Sequence, residues 1–182
     1  MKTKFDDIWK DAYEKRAKLD MDIYEKSYES QASTMRRAKL LFKLLDNKVK
    51  KTDLFCLDAG CGHGEYCRML SAKGNKVIGL DYSGEMLKLA KKMSEKDIGY
   101  IQGNLYDLPF DDNSFDVVLN FAALQCVEDY EKAVNELCRV TKKSGFLFII
   151  TLRQPSKIDL LYKSILLLFN PCFPPKTKTN PL

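Results

Sequence analysis

The sequence predicts an α/β fold, a parallel sheet with helices on both faces. Short apolar runs alternate with stretches whose apolar residues recur at helical spacing, from Asp53 to Thr151. The run Phe146–Thr151 is apolar on both faces, as a central parallel strand must be. The run Leu54–Leu57 closes on Asp58 and enters a turn with glycine at Gly60, Gly62 and Gly64, followed by a helical stretch. Glycine lets backbone approach a ligand closely, and a helix start offers N–H groups without intrahelical partners.

Phe5, Ile8, Trp9 and Ala12 have the spacing of an amphipathic helix at the N-terminus. Asp20–Gln31 is polar with scattered tyrosines and has no clear period. Ala38, Leu41, Phe42 and Leu45 mark a second helix ending near Asp46 and Asn47. After the glycine turn, Tyr66, Met69 and Leu70 give a helix its buried face, and Gly74-Asn75 ends it. Lys76–Leu80 reads as the second strand. A helix with Met86, Leu89, Ala90 and Met93 on one face follows, with Ser83 as its N-cap. Tyr100–Gln102 and Phe115–Leu119 are the third and fourth strands. The stripe Tyr130, Ala133, Val134 and Leu137 is a further helix, and Ser144-Gly145 turns into the fifth strand. Right-handed crossovers of such units put ligands at the carboxyl ends of the strands. Asp58, Asp81, Asn104 and Asn120 all fall there.

The expected organisation is N-terminal helices packed on the core over 1–52, a ligand-binding core over 53–153, and an apolar helix with a proline-rich tail over 154–182. The last helix is expected over Ile158–Phe169, with Pro155 breaking the fifth strand.

Composition narrows the function classes. The chain is 45% hydrophobic and 30% charged, as in a soluble globular domain. Its net charge of +5 is spread along helices, without the arginine-rich runs or aromatic platforms of a nucleic-acid binder. No apolar run reaches the roughly 18 residues of a membrane span. The charged MKTKFDDIWK start is no secretory signal. The six cysteines form no C-x-x-C pair and there is one histidine, so no metal site is expected. Buried thiols in a cytoplasmic protein are the expected reading.

Two ligand classes compete for the glycine turn. A dinucleotide site has G-x-G-x-x-G and an acidic residue about 20 positions on. Asp81 fits that acidic position. The glycines do not, because Gly64 comes one position early and Glu65 stands where the third glycine belongs. Asp58 before the turn would also repel a pyrophosphate. It suits a ligand carrying positive charge.

The stretch LDAGCGHGEY resembles the first motif of the class I S-adenosylmethionine-dependent methyltransferases. The resemblance continues in order through GLDYSGEML, GNLYDLPFDDNSFDVVLNFAALQCVED and FLFIIT, and is closest to the subgroup that includes the ubiquinone and menaquinone methyltransferases. It implies a Rossmann-like sheet, S-adenosyl-L-methionine as cofactor, S-adenosyl-L-homocysteine as product and a small-molecule methyl acceptor. It also implies that Asp58 holds the methionine ammonium, directly or through water, with Gly60 approaching by backbone. Gly62 and Gly64 let the turn pass the methionine, Asp81 takes the ribose hydroxyls, and Tyr82 and Met86 flank the adenine. Asn104 stands where the family often has an aspartate on the adenine amino group; Leu105 offers its N–H to the ring, and Asn120 lies beside the methyl group. His63 is read as a loop residue touching cofactor backbone, or as a substrate contact, rather than a base. Gln125 is a substrate contact or a helix start. Trp9 and Tyr13 are candidates to cover the cofactor, with helix packing the simpler role for Trp9. No residue is assigned as a general base.

The sheet departs from the family's seven strands, since no pair of strand patterns follows Thr151. The fifth strand is therefore expected as an edge, covered by the Ile158–Phe169 helix or by a second chain in a homo- or hetero-oligomer. Two other functions stay open. One is a cofactor-binding but inactive partner subunit. The other is a lipid or quinone methyltransferase with Ile158–Phe169 at a membrane surface.

Overall fold

The computed structural model describes residues 4–27, 30–48, 53–94, 97–150 and 166–169. Three helices come first: α1 (Lys4–Ala17), the one-turn α2 (Ile23–Lys26) and α3 (Gln31–Lys48). Strands and helices then alternate as β1 (Phe55–Ala59), α4 (Glu65–Ser71), β2 (Lys76–Asp81), α5 (Gly84–Met93), β3 (Gly99–Gln102), β4 (Phe115–Phe121), α6 (Tyr130–Val140) and β5 (Thr141–Ile150). With β6 (Leu166–Phe169) as the last strand, the sheet order is β3-β2-β1-β4-β5-β6, and the first five strands are all parallel. The strand order reverses between β1 and β4, which opens a crevice at their carboxyl ends.

Strand alternation divides the core. Cys56, Val117 and Leu119 face one side, under Ala38, Leu41 and Leu45 of α3 and Cys67 and Leu70 of α4. Leu57, Val118 and Leu147 face the other, under Ala133, Leu137 and Val140 of α6. The stripes of α3, α4 and α6 are those the periodicity marks. After α4 the chain turns as expected at the left-handed Gly74 (φ 81°), whose N–H donates to the Ser71 carbonyl at 2.8 Å.

The stripe of α1 is the exception. Ile8 is 59% exposed and Phe5 37%, whereas Asp6 is buried at 5%. Asp6, Trp9, Tyr13 and Ala17 share the inward face. The helix turns polar and aromatic side chains inward because it lies over a cavity rather than over the apolar core.

The C-terminal expectation also needs correction. Leu166–Phe169 is a strand, β6, antiparallel to β5 with Phe146 opposite Phe169 and Ile149 opposite Leu166. A run of consecutive apolar residues fits a helix and a buried strand alike. The open edge of β5 decides here, because its unpaired backbone groups need partners. The edge is thus occupied over Phe146–Ile149 by this chain itself rather than by a helix or a second chain. The rest of the expected helix and the proline-rich tail lie outside the described residues. Ser144-Gly145, expected as a turn, is absorbed within β5, whose pairing with β4 shifts register between Phe115 and Val117.

The long β3–β4 connection is fastened to α6 by one side chain. The Arg139 guanidinium donates to the Leu108 carbonyl (3.0 Å), the Phe110 carbonyl (2.7 Å) and Asp112 Oδ1 (2.9 Å). It also forms two bonds to the Glu136 carboxylate, which accepts the Leu108 N–H at 2.8 Å. The planar fork reaches all of these at once, which a lysine cannot do. Arg139→Gln is expected to lower stability by about 2 kcal/mol, since several charge-assisted bonds are lost from a half-buried group. Urea unfolding should show this as a reduced midpoint with an unchanged slope, and Arg139→Lys should recover only a minor part.

Candidate cofactor site

The turn after β1 is held by the end of β2. The Gly60 and Cys61 N–H groups both donate to the Leu80 carbonyl, at 2.6 and 3.0 Å. The next donor, Gly62 N–H, reaches Asp81 Oδ2 at 2.8 Å, while Asp81 Oδ1 accepts the Ser83 N–H at 2.8 Å. One carboxylate therefore joins the glycine turn to the start of α5. Ser83 caps that helix, its hydroxyl accepting the Met86 N–H at 3.2 Å. Burial pushes the Asp81 carboxyl up from its ordinary value; the backbone N–H groups of Ser83, Gly62 and Tyr82 oppose the shift, and the nearby Glu14 adds to it.

Glycine is needed at 60, 62 and 64 for different reasons. All three have positive φ, at 86°, 53° and 76°. A Cβ on Gly60 would lie 2.2 Å from Ala123 Cβ, and one on Gly64 2.3 Å from the Tyr100 hydroxyl oxygen. Those two positions are closed by the protein's own neighbours. At Gly62 the nearest atom would be Met86 Cε at 3.5 Å, so this Cα faces the cavity with space around it.

The cavity lies over the carboxyl ends of β1, β2 and β4. Gly60, Gly62, His63, Asp81, Tyr82, Met86, Asn104 and Leu105 are on its wall, brought together from the turns after β1, β2 and β3 and the first turn of α5. Asp58, Gly64, Asn120 and Gln125 are not on that wall. Asp58 is 1% exposed beneath the turn, where its Oδ2 accepts the Cys67 thiol at 3.4 Å. Asn120 is fully buried; its Nδ2 donates to the Ala59 carbonyl at 2.8 Å and its Oδ1 accepts the Leu124 N–H at 3.2 Å. These bonds fasten β4 to β1 and to the turn at Leu124. Gln125 sits in the short 3-10 turn Leu124–Cys126.

Asn104 keeps a cavity position, but its Oδ1 also accepts the Tyr106 N–H at 2.8 Å, closing a local turn that presents Leu105. His63 is buried, its ring edge-on to Tyr24 at 5.8 Å and its Nε2 3.9 Å from Glu65, which pairs with Arg68. The His63 carbonyl accepts Arg68 Nη1 at 2.7 Å. Burial raises the Cys61 and Cys67 thiols, Cys67 to about 11, so both stay protonated near neutral pH. Among the described residues no group of three His, Cys, Asp or Glu could hold a metal ion.

The sequence did not single out the polar anchors of the roof. Tyr106 donates its hydroxyl to Asp6 Oδ1 at 2.9 Å and accepts the Glu128 and Asp129 N–H groups at 2.9 and 3.2 Å. Glu14 Oε1 accepts the Gly84 N–H at 2.8 Å, a carboxylate at the positive end of α5. The Tyr82 hydroxyl reaches Asp7 at 3.2 Å. These bonds hold α1 across the cavity, with Trp9 and Tyr13 both on the wall. The signal was present in the spacing of Asp6, Trp9 and Tyr13, one helix face that mixes a carboxylate with aromatics.

Comparison with known proteins agrees with this architecture. A family model described as a methyltransferase domain matches residues 57–149. The malonyl-[acyl-carrier protein] O-methyltransferase of Hamiltonella defensa is 34% identical over 134 residues, covering 74% of this chain and 51% of that protein. A demethylmenaquinone methyltransferase of Bacillus cereus is 34% identical over 130 residues, covering 64% of this chain and 55% of that protein. The chain thus spans about half the length of these curated relatives. Among solved structures, a putative methyltransferase in complex with the Haloferax volcanii Trm112 methyltransferase activator is similar at TM-score 0.59 and 26% identity, covering 83% of this chain and 61% of that one. PH0226 of Pyrococcus horikoshii is similar at TM-score 0.57 and 29% identity, covering 67% and 59%. With more than half its length matched and the five-stranded parallel sheet in place, this chain belongs to the class I S-adenosylmethionine-dependent methyltransferases.

Proposed function

We infer that the cavity binds S-adenosylmethionine and that the chain transfers its methyl group to a small-molecule acceptor. The observation that carries this is Asp81, a carboxylate on the cavity wall beside a glycine turn whose spacing does not suit a pyrophosphate. Each Asp81 oxygen spends one lone pair on a backbone N–H and keeps a second for a ribose hydroxyl. Tyr82 and Met86 supply apolar faces for an adenine, and Leu105 its backbone N–H. Asn104 adds an uncharged acceptor for the adenine amino group. Gly60 and Gly62 bring backbone against the methionine portion. Asp58 acts from beneath the turn, where its negative charge favours a cationic occupant through the wall.

When bound, the cofactor supplies an activated methyl group on a sulfonium. The protein's part is positioning and exclusion of water. Trp9 and Tyr13 of the roof, with Phe121, Ala123 and Val127 beyond β4, leave an apolar region next to the turn for an acceptor.

Calorimetry with S-adenosylmethionine, S-adenosylhomocysteine and NADH tests the reading. Binding of NADH alone would overturn it. Asp81→Ala is expected to weaken binding of both sulfur ligands by about 100-fold, the loss of two charge-assisted hydrogen bonds. The ionised form of Asp81 is the one that accepts both hydroxyls. Its pKa is raised, so affinity should fall with decreasing pH already above the ordinary carboxylate range, and Asp81→Asn should flatten that dependence. Asn104→Asp keeps the acceptor for the Tyr106 N–H and adds charge opposite the adenine amino group, so a several-fold gain in affinity is expected in the same titration.

A further inference from the structure

We propose that Cys61 and Cys67 are a disulfide-forming pair through which an oxidant reaching the cavity alters the glycine turn. The bond itself does not depend on what the cavity holds; its effect on S-adenosylmethionine rests on the function proposed above. Cys61 lies in the turn between Gly60 and Gly62 and lines the cavity, at 7% exposure. Cys67 lies in the first turn of α4 and is fully buried. The two thiols are hydrogen-bonded to each other, the close approach of sulfurs that a disulfide needs. Cys56, on the same side of the sheet, is fully buried and is not on the cavity wall; its thiol donates to the Leu54 carbonyl at 3.8 Å. Cys126 shares the cavity wall, but its side chain is hydrogen-bonded to Tyr13.

The surroundings of Cys67 suit it to be the attacking thiol. Its S–H donates to Asp58 Oδ2 at 3.4 Å. Its sulfur accepts from the Cys61 thiol and from the Tyr100 hydroxyl, which is bonded in turn to the Ser94 hydroxyl at 2.8 Å. Burial pushes the Cys67 thiol up to about 11, and these two donors oppose the shift. Near neutral pH the group is a thiol, and the adjoining carboxylate takes its proton as it reacts. Hydrogen peroxide entering the cavity meets Cys61 first. The Cys61 sulfur attacks one peroxide oxygen and the O–O bond breaks. The departing hydroxide takes the Cys61 proton and leaves as water, so Cys61 becomes a sulfenic acid. Cys67 then gives its proton to Asp58 and attacks the Cys61 sulfur. The S–S bond forms, the S–O bond breaks, and the released hydroxide recovers the proton from Asp58 as a second water. One peroxide is reduced, two thiols are oxidised and the carboxylate is restored.

Closing the bond draws the sulfurs to about 2 Å. The backbone around Cys61 is what fastens the turn, since Gly60 and Cys61 donate to the Leu80 carbonyl and Gly62 to Asp81. Drawing Cys61 toward α4 strains these bonds, so the disulfide form holds the cofactor less tightly. By linkage, bound cofactor disfavours the disulfide.

The test is treatment of the full chain with hydrogen peroxide, alkylation of the remaining thiols, cleavage after Glu65 between the two cysteines, and tandem mass spectrometry. A Cys61–Cys67 linkage, lighter than the thiol form by two hydrogens and reversed by dithiothreitol, is expected. Cys61→Ser should abolish it and Cys56→Ala should leave it in place. Circular dichroism melting of each variant reports that the fold is kept. In calorimetry the oxidised chain should bind S-adenosylmethionine about tenfold more weakly than the reduced chain. Absence of the linkage would overturn the proposal, as would linkage of Cys61 or Cys67 to another cysteine in its place, or equal affinity of the oxidised and reduced chains. Linkage in a chain that binds no S-adenosylmethionine when reduced would uphold the pair and overturn the cofactor reading instead.

Discussion

The site depends on one buried carboxylate with two backbone donors. Asp81 accepts N–H groups from Gly62 and Ser83, and those residues begin two different structures, the glycine turn and α5. Leu80, one residue earlier, holds Gly60 and Cys61 by a single carbonyl. The last two residues of β2 thereby set the path of the chain leaving β1. Such bonds relieve part of the cost of burying the charge. Asp81 also lines the cavity, so the residue that builds the turn is part of the wall it shapes.

The roof is organised by polar contacts. Tyr106 gathers Asp6 of α1 and the first N–H groups before α6 around one hydroxyl. It follows directly on Asn104 and Leu105. The loop that would face an adenine, the helix above it and the wall beyond β4 consequently share a single hydrogen-bonded node. Arg139 and Glu136 hold the next segment, Leu108–Asp112, from the opposite side.

Much of this was legible from residues alone. The strand and helix alternation gave every core element from β1 to β5, because parallel strands and the stripes of α3, α4 and α6 obey simple periods. Glycine spacing separated the cofactor classes. Side-chain direction was harder to read. Asn120 and Asp58 stand at strand ends as expected, yet Asn120 turns into the protein to satisfy Ala59 and Leu124, and Asp58 lies beneath the turn. Helix α1 defeated the apolar rule because its inner face meets a cavity, so Asp6 points inward and Ile8 outward. β6 was missed since a continuous apolar run carries no period, and only the open edge of β5 tells which state it takes.

Ala122 and Gly60 together constrain how this wall can change over evolution. Ala122 is left-handed at φ 61°, and its N–H donates to the Ile150 carbonyl at 2.7 Å, which fixes the chain just before Ala123. Ala123 in turn fills the place a side chain on Gly60 would need. The loop after β4 is therefore held between the end of β5 and the glycine turn, with no slack on either side. Variation in acceptor preference on this scaffold has to come from elsewhere on the cavity wall, above all from the inner face of α1, whose backbone is not wedged in this way.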